Sequence, residues 1–192
     1  MYSLSSSTII PVRFDELSQI ILSDYAKEGL PKLLRKQLSE EYHSAVELAE
    51  KSMKDFYNQT IRWHQYVDRV MENESAISDP FEVRHINDIS MKLERIFTEN
   101  SGQSLYQRPD TRNILLGTSL SDFYSTVFFP GLFDLLDEIK YKETLKTNKR
   151  NHDELRDIQQ ELKDLQQELR RHLSDITIAF QVATRILQEK PI

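Results

Sequence analysis

Residues 157–163 read Asp-Ile-Gln-Gln-Glu-Leu-Lys, and residues 164–170 repeat them almost letter for letter as Asp-Leu-Gln-Gln-Glu-Leu-Arg. A seven-residue period with apolar residues at its first and fourth positions keeps one seam of a helix facing a partner in a left-handed supercoil. Leu155, Leu162, Leu169, Ile176 and Ala183 take the first position, and Ile158, Leu165, His172, Ala179 and Ile186 the fourth. Glu154, Glu161 and Glu168 flank the seam on one side, Gln159 and Gln166 on the other. A parallel self-pairing sets Glu against Gln, whereas an antiparallel one sets like charges together, which is unfavourable. The seam predicts helix–helix docking through Leu155, Ile158, Leu162, Leu165 and Leu169. Its partner is a second copy, another protein, or a long helix of the same chain. Beyond Leu173 apolar residues cover most of the circumference, which places that end inside a bundle or a subunit interface.

A matching long helix lies upstream. From Pro31 to Glu74 there is no breaker, and Leu34, Leu38, Tyr42, Ala45, Ala49, Met53, Phe56, Thr60, Trp63, Val67 and Val70 follow one another at steps of three and four. This stripe predicts a single helix of roughly 63 Å, longer than the diameter of about 40 Å of a compact chain of this size. A first amphipathic helix is expected over 14–27, stopped by Gly29 ahead of Pro31. Asp79, Pro80 and Glu82 form a capping box for another helix through Phe97. Ser121 and Asp122 are expected to open a further one, kinked at Phe129-Pro130-Gly131 and running to about Thr147. The last helix covers about 151–188. The fold class is all-α: an elongated bundle of about five helices, two of them very long, with a coiled-coil-like C-terminal segment and no convincing strand. Residues 1–12 read as a flexible arm, 13–147 as the bundle, and 148–192 as the long helix packed on or extending from it.

Composition narrows the function. Of 192 residues, 4 are glycine and 6 proline, too few for the turns of a β-sandwich or barrel. Neither GxGxxG nor GxxxxGK[ST] occurs, which excludes the common nucleotide-binding folds that rest on them. Without cysteine there is no disulfide framework, thiolate zinc site or cysteine nucleophile. A net charge of −6 argues against nucleic acid as a partner. The N-terminal stretch lacks the features of a secretory signal, and no apolar run approaches the ~20 residues needed to span a bilayer. Cytoplasmic residence is the expectation.

Each candidate site also has a packing explanation. Glu40/His43 and Glu82/His85 repeat the Glu-x-x-His spacing of di-iron bundles. On the helix wheel, however, Glu40 and His43 point to solvent, and Glu82 is absorbed by its capping box, so no metal and no cofactor are expected. His64 and His152 lie near stripe edges, and His172 falls in the seam. Asp134, Asp137 and Glu138 read as the outer face of an amphipathic helix. Lys140, Lys142, Lys146, Lys149 and Arg150 form a basic run suited to an anionic membrane surface, or simply to a helix C-terminus. Phe128, Phe129 and Phe133 offer a second partner-binding cluster. The expected function is a non-catalytic adaptor or scaffold that docks on another protein or on itself, without small-molecule substrate. The alternative is a peripheral membrane-binding dimer that uses the basic run, and a helical enzyme or metal protein ranks below both.

Overall fold

Gly29 adopts φ +64°, a left-handed conformation that only glycine takes up without cost, and its carbonyl accepts the amides of Lys32 and Leu33 at 2.9 and 3.1 Å. It therefore separates helix α1 (Phe14–Lys27) from helix α2 (Leu30–Gln37), whose first turn holds Pro31. The computed structural model describes residues 9, 12–27, 29–73, 79–99, 113–118, 126–148 and 152–189. After α2 come a 3-10 turn (Glu40–Tyr42), α3 (His43–Glu72), α4 (Pro80–Glu99), strands β1 (Leu116–Thr118) and β2 (Thr126–Phe128), α5 (Pro130–Asn148) and α6 (His152–Ile186). The chain is mostly helical, with six α-helices among the described residues. At 35 residues α6 is about 52 Å long.

The single helix expected from Pro31 to Glu74 is broken. Leu38 is extended (φ −97°, ψ 141°) and 5% exposed, so its side chain turns into the core where the backbone leaves the helix. The break frees backbone carbonyls, and His43 serves them: its Nε2 lies 2.9 Å from the oxygen of Arg35 and 3.3 Å from that of Leu38. An apolar stripe at steps of three and four persists across such an interruption, because the buried face is the same on either side.

Two further expectations change at the hairpin. β1 and β2 pair antiparallel, with Leu116 opposite Phe128 and Thr118 opposite Thr126, where only helical or irregular chain was anticipated. Asn113 Oδ1 accepts the amides of Leu115 and Leu116 and turns the chain into β1. α5 begins at Pro130, not at Ser121, because Phe129 holds φ +55° and reverses the chain just ahead of it. The Phe129 amide donates to Leu115 O (2.9 Å), and its carbonyl accepts from Leu132 and Phe133, so the backbone of Phe129 caps α5. Ser121 and Asp122 lie outside the described residues, as do residues 1–8, 10 and 11 of the arm read over 1–12, of which Ile9 is buried in the core.

Contacts at several heights fix the bundle order. Arg170 sits over the Tyr42 ring (4.4 Å), Gln181 reaches Ser52 Oγ (3.4 Å), and Gln59 reaches Leu187 O (3.4 Å), so α3 and α6 run parallel. Lys142 pairs with Glu161 while Gly131 meets His172, so α5 and α6 form an antiparallel helical hairpin. Phe97 on α4 meets Phe56 and Phe180 edge-on or tilted, with centroids 5.3–5.9 Å apart, where α3, α4 and α6 converge.

Candidate functional site

The repeat that dominates the sequence faces inward. Leu169 has no exposed surface, Leu165 and Ile158 are 7% and 9% exposed, and Leu162 packs half-buried against the core. Leu155 is half-buried near the free end. α6 packs mainly on α3 and α5 of the same chain, with the repeat itself alongside α5 at Lys142–Glu161. Three of its five anchors are thus not available at the surface of this chain. The phenylalanine cluster is similarly absorbed: Phe129 is buried against the edge of Tyr25 (5.6 Å), while Phe128 and Phe133 are half-buried beside the core.

The basic run is divided by ion pairing. Lys142 lies 2.7 Å from Glu161 and 3.9 Å from Glu138 and is held charged by the first of these. Lys140 and Lys146 are exposed on α5, and Lys149 and Arg150 lie outside the described residues. Lys146 lines an open groove of about 690 Å³ between α5 and α6, together with Glu143, Leu162 and Lys163. Its rim carries both signs of charge.

The histidines do structural work. His43, expected at the surface, is half-buried against the break after α2, while Glu40 is exposed as anticipated. His64 Nε2 accepts the Phe14 amide at 3.0 Å, so α3 caps the N-terminus of α1 across the bundle. Burial lowers the pKa of His64, opposed by Asp15 at 3.3 Å. Burial likewise pushes His172 down to about 4, with Arg171 acting in the same sense. Glu82, assigned to a capping box, instead accepts the phenol of Tyr66, and Asp79 alone caps α4 by accepting the Phe81 amide at 2.9 Å. Among the described residues no group of three or more His, Cys, Asp or Glu side chains is placed to hold a metal ion. Nor, among them, is any helix long and apolar enough to cross a membrane.

With the seam closed, the exposed large apolar side chains stand on the outer faces. Leu48 on α3 is 47% exposed and Ile178 on α6 is 54% exposed, with half-buried Val182 one turn beyond. Because Ser52 meets Gln181, Leu48 and Ile178 stand at nearly the same height on parallel neighbours. The outward position of Ile178 was legible only as part of the all-round apolar pattern after Leu173. Leu48 falls off the stripe from Leu38 to Val67 and was not singled out.

A family model for the transferrin receptor-like dimerisation domain matches residues 39–188. The chain belongs to this family. The match starts at the break that separates α2 from α3 and runs past the end of α6, so it takes in the 3-10 turn, α3 to α6 and the hairpin. An Arabidopsis thaliana protein described as a probable glutamate carboxypeptidase is 36% identical to this chain over 69 residues, which is 36% of this chain and 10% of that protein. The chain therefore aligns with only about a tenth of the length of this curated relative. The core of the chain draws on all six helices, with Ile21 and Tyr25 of α1 and Leu30 and Leu34 of α2 buried beside α3 to α6.

Proposed function

We propose that this transferrin receptor-like dimerisation domain is a non-catalytic self-association module whose partner is a second copy of the same chain. The observation that carries this reading is the family match over residues 39–188, which takes in α3 to α6 and the strands. Two features support it. The heptad seam is closed inside the chain, so each copy has a complete core and associates as a folded unit. Exposed apolar residues remain on the outer faces, where association removes them from water. Docking on a different protein, as an adaptor or scaffold, is the broader form of the same helix-face mechanism.

The likeness to a probable glutamate carboxypeptidase supports a second reading of context: the module serves a protein with a peptidase-like part and pairs that part with its twin. Its share in such a protein is assembly and not bond cleavage.

Light scattering on a sizing column, at two concentrations tenfold apart, tests the first reading. The expected mass is twice the 22.7 kDa of one chain. A mass of one chain at both concentrations overturns it.

A further inference from the structure

We propose that the second copy docks on the outer face shared by α3 and α6, with the two α6 helices crossing antiparallel at Ile178. This inference rests on the self-association reading above and names the surface it uses.

Three observations converge on this face. The first is apolar exposure: Leu48 and Ile178 stand at nearly the same height on the parallel helices α3 and α6, and Val182 lies one turn beyond Ile178. Ile178 lies opposite the buried face of α6, whose inner surface carries Leu169, Leu173, Ile176 and Phe180. This β-branched apolar residue in the middle of the helix's outer face leaves 54% of its surface exposed among the described residues.

The second is charge. Each copy carries −6 overall, so two copies repel unless they meet where the signs balance. On this face Arg171 is held by Glu168 and by Asp175 at 3.1 Å, and Arg185 is exposed two turns beyond Ile178. An antiparallel crossing at Ile178 brings Arg185 of each copy level with the Glu168–Arg171–Asp175 cluster of the other. That cluster holds two carboxylates and one guanidinium, so the incoming cation completes it. Burial already raises the Asp175 carboxyl above the usual carboxylate range, although Arg171 pulls it down. A second cation beside it stabilises the charged form.

The third is size. Two helices side by side, 8–10 Å apart, present a strip of roughly 30 by 18 Å between the levels of Glu168 and Glu189, about 500 Å² per copy. The total of about 1,000 Å² is the lower bound for a specific protein–protein interface.

Two substitutions test the face. In Ile178→Glu, two carboxylates meet at the crossing, and the dissociation constant is expected to rise by about a hundredfold or more. Met91→Glu, at a comparably exposed position on α4, is expected to leave the dimer intact. Because the chain has no cysteine, Ile178→Cys supplies a single thiol, and mild oxidation is expected to link two copies through it. Circular dichroism melting checks that each variant stays folded. A dimer that persists in Ile178→Glu, and that Ile178→Cys fails to link, overturns the α3/α6 face while self-association stands. A wild-type chain that is monomeric removes the self-association reading itself, and this inference with it.

Discussion

His172 and Gly131 share one space: a Cβ placed on Gly131 would lie 2.1 Å from His172 Nε2, 2.8 Å from Cδ2 and 3.0 Å from Cε1. The start of α5 thus crosses α6 in contact with an imidazole that is itself only 3% exposed. Both residues are buried. Gly131→Ala is expected to destabilise the fold by about 1–3 kcal/mol through overpacking. A double-mutant cycle with His172→Ala, read by urea unfolding, should recover most of that loss, since the truncated side chain no longer meets the added methyl. Additive losses would place the strain elsewhere.

Acid is expected to weaken the bundle through the same histidine. Its folded pKa of about 4 lies below the ordinary 6.5, so the fold favours the neutral ring. Stability is therefore flat above about pH 6.5 and declines as pH falls from there to about 4, by about 3 kcal/mol in all. Glu168 and Arg171 are the charged groups that act on the ring, and the second outweighs the first. His64 adds to the decline in the same direction, because protonating Nε2 removes the acceptor of the Phe14 amide. Urea midpoints between pH 4 and 8 measure the slope, and His172→Gln should flatten it.

Tyr25 predicts a gain. Its ring is 1% exposed and packs edge-on against Phe129, while its buried hydroxyl has no hydrogen-bond partner among the described residues. Burial raises the phenol pKa far above its ordinary value. Removing an unsatisfied buried hydroxyl lifts a desolvation penalty of about 1 kcal/mol or more. Tyr25→Phe is accordingly expected to raise the melting temperature by several degrees, and a lowered one would mean that the hydroxyl has a partner in solution.

Truncation along the heptad seam should sort by burial. Leu169→Ala, at a position with no exposed surface, is expected to cost about 2–5 kcal/mol. Leu155→Ala, half-buried near the end of the hairpin, should cost less than about 1 kcal/mol. Equal costs would show that the free end of α6 is as tightly enclosed as its middle.

The link between α1 and α3 can be cut singly. His64→Ala leaves the first amide of α1 without its acceptor, at a cost of about 1–2 kcal/mol. Hydrogen exchange should report it as faster exchange in the first turn of α1, while Ile176 and Phe180 in the core of α6 stay protected.

Much of the fold was legible in the chain. Gly29 with Pro31, Asp79 with Pro80, and the repeat from Asp157 to Arg170 mark helix boundaries and a buried face by local chemistry, and α1, α4 and α6 follow them closely. The break after Gln37 was not legible. Leu38 fits the helical stripe, and what ends the helix there includes a contact from His43, which is polar and off the stripe. The strands were missed for a similar reason. Three-residue strands carry too little alternation to register, and the reversal that separates them from α5 sits on Phe129, a residue that rarely takes positive φ.

Apolar period, caps and breakers act between neighbours a few residues apart, so the all-α class and the inward face of each long helix are written locally in the chain. Which helix covers which depends on contacts between distant segments. The Asp157–Arg170 seam suits a second copy or a neighbour in the same chain equally well by its pattern. It closes internally because α5 packs antiparallel along α6, as the Lys142–Glu161 pair shows. With the strong seam buried, the apolar side chains left exposed include Leu48 and Ile178, level with each other on parallel helices. That relationship joins residues 130 positions apart and has no local signature.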